Sequence, residues 1–362
     1  MERQLMTGNE AMAEAALRAG CRSYFGYPIT PQNELLEYMA RRMPQVGGAF
    51  VQAESEVAAI NMCYGAAAAG VRVLTSSSSP GVSLKMEGIS YLAGADLPVV
   101  VVNVARGGPG LGNIAPAQGD YFQATKGGGH GDYRMIVLAP STVNEAAALT
   151  QLAFDLADKY RVPAMVLADG MLGQMMEPVE LPPFVDVGNL PPKPWALSGA
   201  RGREPNYVAS FALDPYDLRE LNRRRLARYQ QIEAHEVRWE EVQTEDAEVL
   251  LVAYGTTGRI AKTVVRLARA EGTRAGLLRP ITLWPFPYGP IRRLAQRIPV
   301  VLTVELSMGQ MVEDVRLAVE GRAKTPFYGE MGGVVPTPRD ILQEVKAHAL
   351  QRGKHEAGVR PA

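Results

Sequence analysis

Apolar and polar positions along the first half of the chain switch repeatedly between a helical and an extended period. Apolar residues three and four apart predict a helix from Asn9 to Ala19, closed by Gly20, and Ser23–Gly26 then reads as a short strand. Pro31–Met43 reads as helix, Ala49–Gln52 as strand, and Val57–Ala69, ended by Gly70, as a helix of small residues. Arg72–Thr75 and Pro98–Val104 are predicted strands on either side of a helix at Val82–Ala95. The core of the second strand, Val99-Val100-Val101-Val102-Asn103-Val104, is apolar almost without a break. After a Gly-rich loop come a strand near Met135–Leu138, a helix at Thr142–Tyr160 and a strand at Ala164–Ala168. Strands apolar on both faces, alternating with helices, predict a parallel sheet covered on both sides.

From about Pro178 this rhythm breaks. Pro182-Pro183 and Pro191-Pro192-Lys193-Pro194 mark an extended connector, and Asp217–Val242 reads as one charged amphipathic helix. A second α/β unit begins at Ala247. Its predicted strands are Val249–Ala253, Ala275–Leu278 and Val300–Val304, and its helices Arg259–Glu271, Pro290–Arg297 and Gln310–Glu320. A last helix, Pro338–Leu350, precedes a charged tail expected to be disordered. The expected organisation is therefore an α/β fold with two parallel-sheet domains: residues 1–178, a connector and linker helix at 179–246, residues 247–350, and a tail at 351–362.

A chain of 362 residues has room for two or three such domains. The 38 basic residues balance 38 acidic ones, so no global field points to nucleic acid or to an anionic membrane. The Asn222-Arg223-Arg224-Arg225 cluster reads as the solvated face of the linker helix. No apolar run approaches the roughly 20 residues of a membrane span. Cys21 and Cys63 form no CxxC pair and point to a reducing cytoplasm. Two thiols are also too few for an iron–sulfur cluster, which needs about four, so in any redox chemistry the electrons leave through another subunit. The four histidines make no ligand-spaced cluster, and no metal is expected on this chain alone.

In open α/β sheets ligands bind beyond the carboxyl ends of the strands. Three candidate segments sit at such ends: Gly26-Tyr27-Pro28-Ile29-Thr30-Pro31, Glu54-Ser55-Glu56-Val57-Ala58-Ala59, and Arg106. A hydroxyl, a carboxylate among small side chains and a guanidinium suit a small carboxylic acid. Desolvation of Glu56 at the head of its helix favours sharing a proton with a ligand nitrogen. The same position also suits an acid that only complements the helix dipole, and Glu54 competes for the role. Thr30, in a loop fixed by Pro28 and Pro31, either holds its hydroxyl at a set point or caps a helix with Pro31 in its first position. The hydroxyls and amides of Thr75-Ser76-Ser77-Ser78-Ser79-Pro80-Gly81 precede a helix and suit an anion or a cofactor ring. Arg106 is either a bidentate carboxylate clamp or a surface residue at a strand end. His130 stands in a Gly-rich loop able to bring an imidazole to a site. Tyr254-Gly255-Thr256-Thr257-Gly258 is a generic strand-to-helix loop with room for an anion.

Together with Arg106-Gly107-Gly108-Pro109 and Gly276-Leu277-Leu278-Arg279-Pro280-Ile281-Thr282-Leu283-Trp284-Pro285-Phe286-Pro287, these segments resemble the α subunit of 2-oxoacid:ferredoxin oxidoreductases. The similarity runs in register from about Gly8 to Leu350. The uninterrupted Gly107–Tyr133 segment and Ala168-Asp169-Gly170-Met171-Leu172-Gly173-Gln174-Met175-Met176 are most like the branched-chain, 2-oxoisovalerate type. The resemblance implies a thiamine diphosphate pyrimidine-binding domain followed by a transketolase C-terminal-like domain. Glu56 would bond the pyrimidine nitrogen and favour the imino tautomer, with Tyr27, Pro28, Ile29, Ser78 and Ser79 about the cofactor. Thr30, Arg106 and His130 would meet the 2-oxoacid. A separate β chain would hold the diphosphate and Mg²⁺, since no suitable Asn completes a motif after Asp169-Gly170. A ferredoxin-like subunit would carry the iron–sulfur clusters. The implied activity is oxidative decarboxylation of 2-oxoisovalerate, or alternatively 2-oxoglutarate, with coenzyme A and ferredoxin. A non-catalytic scaffold subunit is the rival of another class, and the intact Thr30, Glu56 and Arg106 speak against it.

Overall fold

The computed structural model describes residues 3–358. Strand β1 (Arg3–Thr7) leads into α1 (Gly8–Arg18), β2 (Ser23–Gly26), α2 (Asn33–Arg42), β3 (Ala49–Gln52), α3 (Glu56–Ala68) and β4 (Val73–Ser77). There follow α4 (Ser79–Gly94), β5 (Val100–Ala105), the short α5 (Tyr121–Thr125), β6 (Ile136–Leu138), α6 (Val143–Tyr160), β7 (Ala164–Asp169), the short α7 (Gly170–Gln174) and β8 (Met176–Glu180). The remainder comprises α8 (Pro215–His235), β9 (Trp239–Val242), β10 (Val249–Val252), α9 (Gly255–Ala270), β11 (Ala275–Pro280) and β12 (Thr282–Trp284). It closes with α10 (Tyr288–Ala295), β13 (Val300–Glu305), α11 (Met311–Val319), β14 (Phe327–Gly329) and α12 (Pro338–Gly358). No described helix is long and apolar enough to cross a membrane.

The first sheet has seven strands in the order β12-β6-β7-β5-β4-β2-β3, and the second has five in the order β14-β13-β10-β11-β9. Both are mixed rather than purely parallel. β12 runs antiparallel to β6, and β9 antiparallel to β11. The chain crosses outward from β2 to β3 and then returns past β2 to β4. Right-handed crossovers in opposite directions place α2 on one face of the sheet and α3 and α4 on the other. That reversal opens a crevice at the carboxyl ends of β2 and β4, the usual ligand position in such sheets.

Several local expectations change. Thr7, not Asn9, caps α1 through a reciprocal capping box with Glu10. Asn9 instead donates from Nδ2 to Pro31 O at 2.8 Å and to Glu34 Oε2 at 2.7 Å, tying α1 to the loop after β2. The linker helix stops at His235, because Trp239–Val242 pairs with β11 rather than continuing the helix. Its basic cluster is only partly solvated: Arg223 and Arg224 are exposed, but Arg225 is buried and donates to Gly94 O, and farther along the helix Arg228 pairs with Asp96 at 2.8 Å. Helix α12 runs past Leu350 into the tail expected to be disordered, and residues 359–362 lie outside the described residues.

The segment between β5 and β6 fastens the two sheets together. Gln118, buried on that segment, donates from Nε2 to Tyr254 O at 2.9 Å, and its Oε1 accepts from Leu306 N at 2.9 Å and Thr257 Oγ1 at 3.2 Å. Asp314 on α11 accepts from Tyr121 OH at 2.6 Å and pairs with Lys126 at 2.5 Å. Buried Arg279 on β11 bridges Glu240 at 2.8 Å and Glu145 of α6 at 2.7 Å. Replacing Gln118 by Ala strands the buried Leu306 N, while Tyr254 O keeps its bonds from Gly258 N and Thr257 Oγ1, and a loss of this kind costs about 1–3 kcal/mol. Gln118→Ala is therefore expected to lower the denaturant midpoint of the whole chain. An unchanged midpoint would show that Gln118 does not carry the junction.

Candidate active site

The crevice is lined by the ends of β2, β3, β4 and β5. Ser55 caps α3 by accepting from Ala58 N at 3.1 Å, which sets Glu56 in the first helical position. Glu56 is only 5% exposed, whereas Glu54 is exposed. The positive end of α3 complements its charge. From the other side comes the head of α4. A Cβ added to Gly81 would lie 2.1 Å from Ser77 Oγ and 2.5 Å from Glu56 Oε1, so only glycine permits this approach. Ser77 Oγ and Ser78 Oγ are buried there with no hydrogen-bond partner. Ser77 Oγ and Glu56 Oε1, both against Gly81, form a polar cradle in which the unpaired hydroxyl keeps hydrogen-bonding capacity.

Ser79 joins this cradle to β5. Its Oγ donates to Asp120 Oδ2 at 2.7 Å and accepts from Arg106 N at 3.0 Å, and its backbone N donates to Asn103 Oδ1 at 3.1 Å. Asn103 Nδ2 in turn donates to Asp120 Oδ2 at 2.8 Å. Burial pushes the Asp120 carboxyl up from its ordinary value, with the Ser79 and Asn103 hydrogen bonds opposing the change.

Arg106 is buried at 8% exposure, which removes the surface reading. Its guanidinium donates from Nη1 to Thr30 O at 2.9 Å and from Nη2 to Leu111 O at 3.2 Å, while its buried Nε has no partner. With five N–H donors, an arginine so engaged keeps capacity for an anion. Thr30 is not a helix cap: α2 begins at Asn33 with Gln32 in the capping position, and the Thr30 hydroxyl stands on an exposed turn. Asn9 and Gln174 both donate to Pro31 O, at 2.8 and 3.0 Å, and hold that turn in place. Tyr27 and Pro28 are exposed and Ile29 half-buried on the same loop.

His130 is not brought to this cluster. Ser90 Oγ donates to its carbonyl at 2.7 Å, and its ring meets Tyr91 edge-on at 6.3 Å. That places it near the opposite end of α4, about 16 Å along the helix from Ser79. The loop at Tyr254–Gly258 holds the protein's own anion: buried Asp169 meets the head of α9 and accepts from Met171 N and Leu172 N at 3.0 and 3.1 Å. Both cysteines are buried, and burial pushes each thiol up to about 12, so neither is a reactive thiolate at neutral pH.

The sequence points to Ser77 and Gly81 only as members of the Thr75–Gly81 loop, and it does not mark Asn103 or Asp120 as site residues. Asn103 carried a signal, as the one polar residue inside the apolar β5 run. Asp120 carried none.

Outside the cradle, an apolar cavity of about 550 Å³ adjoins Thr30, with Pro31, Ile114, Pro116, Met171 and Val335 in its wall. Two larger hollows, of about 590 and 680 Å³, lie beside Trp284 and α8, at the sheet edge opposite β3. Around Glu56 the surface is also apolar: Tyr27, Val51, Val57, Met62 and Leu84 are exposed.

Residues 14–236 match the family described as pyruvate flavodoxin/ferredoxin oxidoreductase, thiamine diphosphate-binding. Residues 247–341 match the pyruvate:ferredoxin oxidoreductase core domain II. The chain is 53% identical to the ketoisovalerate oxidoreductase subunit VorB of Methanothermobacter thermautotrophicus, over 96% of this chain and 98% of that protein. It is 37% identical to the 2-oxoglutarate synthase subunit KorA of the same organism, over 95% of this chain and 98% of that one. Among solved structures, the 2-oxoglutarate:ferredoxin oxidoreductase of Magnetococcus marinus superposes with a TM-score of 0.87 at 27% identity. That match covers 96% of this chain but only 65% of the longer one. With the two family descriptions matched in succession and more than half of all aligned residues shared with one relative, the chain belongs to the pyruvate flavodoxin/ferredoxin oxidoreductase family.

Proposed function

We propose that this chain is the α subunit of a 2-oxoacid:ferredoxin oxidoreductase that converts 2-oxoisovalerate, coenzyme A and oxidised ferredoxin into the acyl-CoA, CO₂ and reduced ferredoxin. The observation that carries the proposal is the buried Glu56 carboxylate facing Gly81 and the unpaired Ser77 and Ser78 hydroxyls. This donor set fits an aminopyrimidine ring, whose two ring nitrogens accept hydrogen bonds and whose amino group donates them. Bound thiamine diphosphate supplies the nucleophilic carbon and the electron sink for decarboxylation. Glu56 would share a proton with a ring nitrogen, and Gly81 lets the head of α4 close against that carboxylate. Arg106 binds the carboxylate of the 2-oxoacid through its free N–H groups, and the Thr30 hydroxyl orients the acid at the mouth of the crevice.

The diphosphate and its Mg²⁺ belong in this reading to a β subunit seated on the exposed apolar rim of Tyr27, Val51, Val57, Met62 and Leu84. The iron–sulfur clusters belong to a ferredoxin-like subunit, and the assembly works in the cytoplasm. The 53% identity to a ketoisovalerate oxidoreductase subunit, against 33–38% to 2-oxoglutarate synthase subunits, supports the branched acid. So does the cavity beside Thr30, whose wall holds Glu34 and no Lys or Arg that would receive a second carboxylate.

In the assembled complex, Glu56→Gln is expected to abolish turnover while leaving subunit assembly intact; near-normal turnover would refute the role of Glu56. Arg106→Ala is expected to raise the apparent KM for the 2-oxoacid about tenfold or more, the size of a lost hydrogen bond between charged groups. An unchanged KM would remove Arg106 from the substrate site. Turnover of 2-oxoisovalerate is expected to exceed that of 2-oxoglutarate, and the reverse preference would reassign the substrate.

A further inference from the structure

The seam between α3 and α4 encloses a cation that the chemistry above does not use. Gly81, Lys85 and Gly88 recur four and three residues apart along one face of α4, and Glu56, Ile60 and Cys63 recur likewise along α3. The two stripes are in close contact. A Cβ at Gly81 would meet Glu56 Oε1 at 2.5 Å, and one at Gly88 would meet Ile60 Cγ2 at 2.4 Å. Lys85 lies between these two contacts and is 0% exposed. Helical side chains lean toward the N-terminus of their helix, here the end at which Glu56 sits. Its Nζ donates to Thr75 Oγ1 at 2.6 Å and to Ser76 O at 3.4 Å, and Thr75 Oγ1 donates onward to Phe25 O at 2.7 Å. Both acceptors are neutral. A buried ammonium without a carboxylate in direct contact is an expensive way to fill a helix seam, since an apolar side chain of the same length would pack there without desolvating a charge.

We infer that Lys85 is a positioning residue for Glu56: its buried ammonium, one turn along α4 from the Glu56 contact, biases the proton shared by Glu56 and the ligand's ring nitrogen toward the nitrogen. The inference rests on the role of Glu56 proposed above. Around Glu56 the other groups are accounted for. Cys63 on α3 is pushed up to about 12 by burial and Tyr24 on β2 is raised further, so neither is charged near neutral pH. Arg106 and Asp120 are engaged with Ser79 on the β5 side, Glu54 is exposed, and Ser77 and Ser78 are neutral. Burial lowers the Lys85 ammonium to about 8, with Glu56 among the charges that oppose the shift. The cation is therefore present at pH 7 and lost as pH rises through 8. Against an unfolded value of 10.5, the unfolded chain binds the extra proton between these limits, so Lys85 costs stability below pH 8 and less as pH climbs toward 10.5.

The test compares Lys85→Met with Thr75→Val in the assembled complex, with thiamine diphosphate as the probe and its dissociation constant measured against pH by calorimetry. Lys85→Met is expected to move the acid-side limb of the profile to higher pH by about one unit, the usual effect of losing an adjacent opposite charge. Thr75→Val, which removes a hydrogen-bond partner but keeps the cation, is expected to leave the limb in place. At pH 7 the Lys85→Met chain is expected to be at least as resistant to denaturant as the wild type. A limb that stays put in Lys85→Met, or moves equally in both variants, overturns the inference. If Lys85→Met does not assemble, Lys85→Gln, which keeps a donor to Thr75, is read by the same criterion. A wild-type complex that binds no thiamine diphosphate overturns the proposed function itself, an outcome distinct from a normal wild type with an unmoved limb.

Discussion

Taking one carboxylate out of water at the head of α3 sets the terms for everything around it. A buried anion needs compensating charge or donors. Here the first turn of α3 supplies part of that compensation, and Lys85 lies farther along the same seam. Gly81 allows the head of α4 to come against the carboxylate, with the unpaired Ser77 hydroxyl at the same contact, and the Ser78 hydroxyl is likewise buried without a partner. A folded chain does not leave buried donors unpaired without reason. The missing Cβ at Gly81 is what allows Ser77 Oγ and Glu56 Oε1 to lie against the backbone of α4.

The second sheet serves this site indirectly. The segment leaving β5 supplies Arg106 and Asp120 to the crevice, then Gln118, Tyr121 and Lys126 to the junction with the second unit. Strand β12, from the second half of the chain, completes the edge of the first sheet. The two units are thus interlocked through the same connecting segment that begins at Arg106.

The strands legible in the sequence were those buried on both faces, such as β5, β7 and β13, where the apolar pattern has no competing explanation. The failures have physical causes. Trp239–Val242 carries two glutamates and reads as the end of a charged helix, yet becomes a strand because β11 offers an open edge and Arg279 offers a partner for Glu240. Thr30-Pro31 has the composition of a helix start, yet Asn9, Arg106 and Gln174 hold it as a turn two residues before α2 begins. His130 lies in a glycine-rich loop whose destination depends on α4, and that helix carries it away from the crevice.

What the chain's order of residues determined alone was the alternation of helices and strands, and with it the segments found at strand ends: Thr30, Glu56, Ser78, Ser79 and Arg106. Local periodicity suffices for that, because burial of a strand or of a helix face is written at spacings of two to four residues. The burial of Glu56 rather than Glu54, the fit of Gly81 against it, the pairing of Ser79 with Asp120 and the enclosure of Lys85 were decided only by tertiary structure. Each depends on two elements far apart in sequence meeting at a distance of a few ångströms, and a linear pattern does not encode which of its faces another helix will approach.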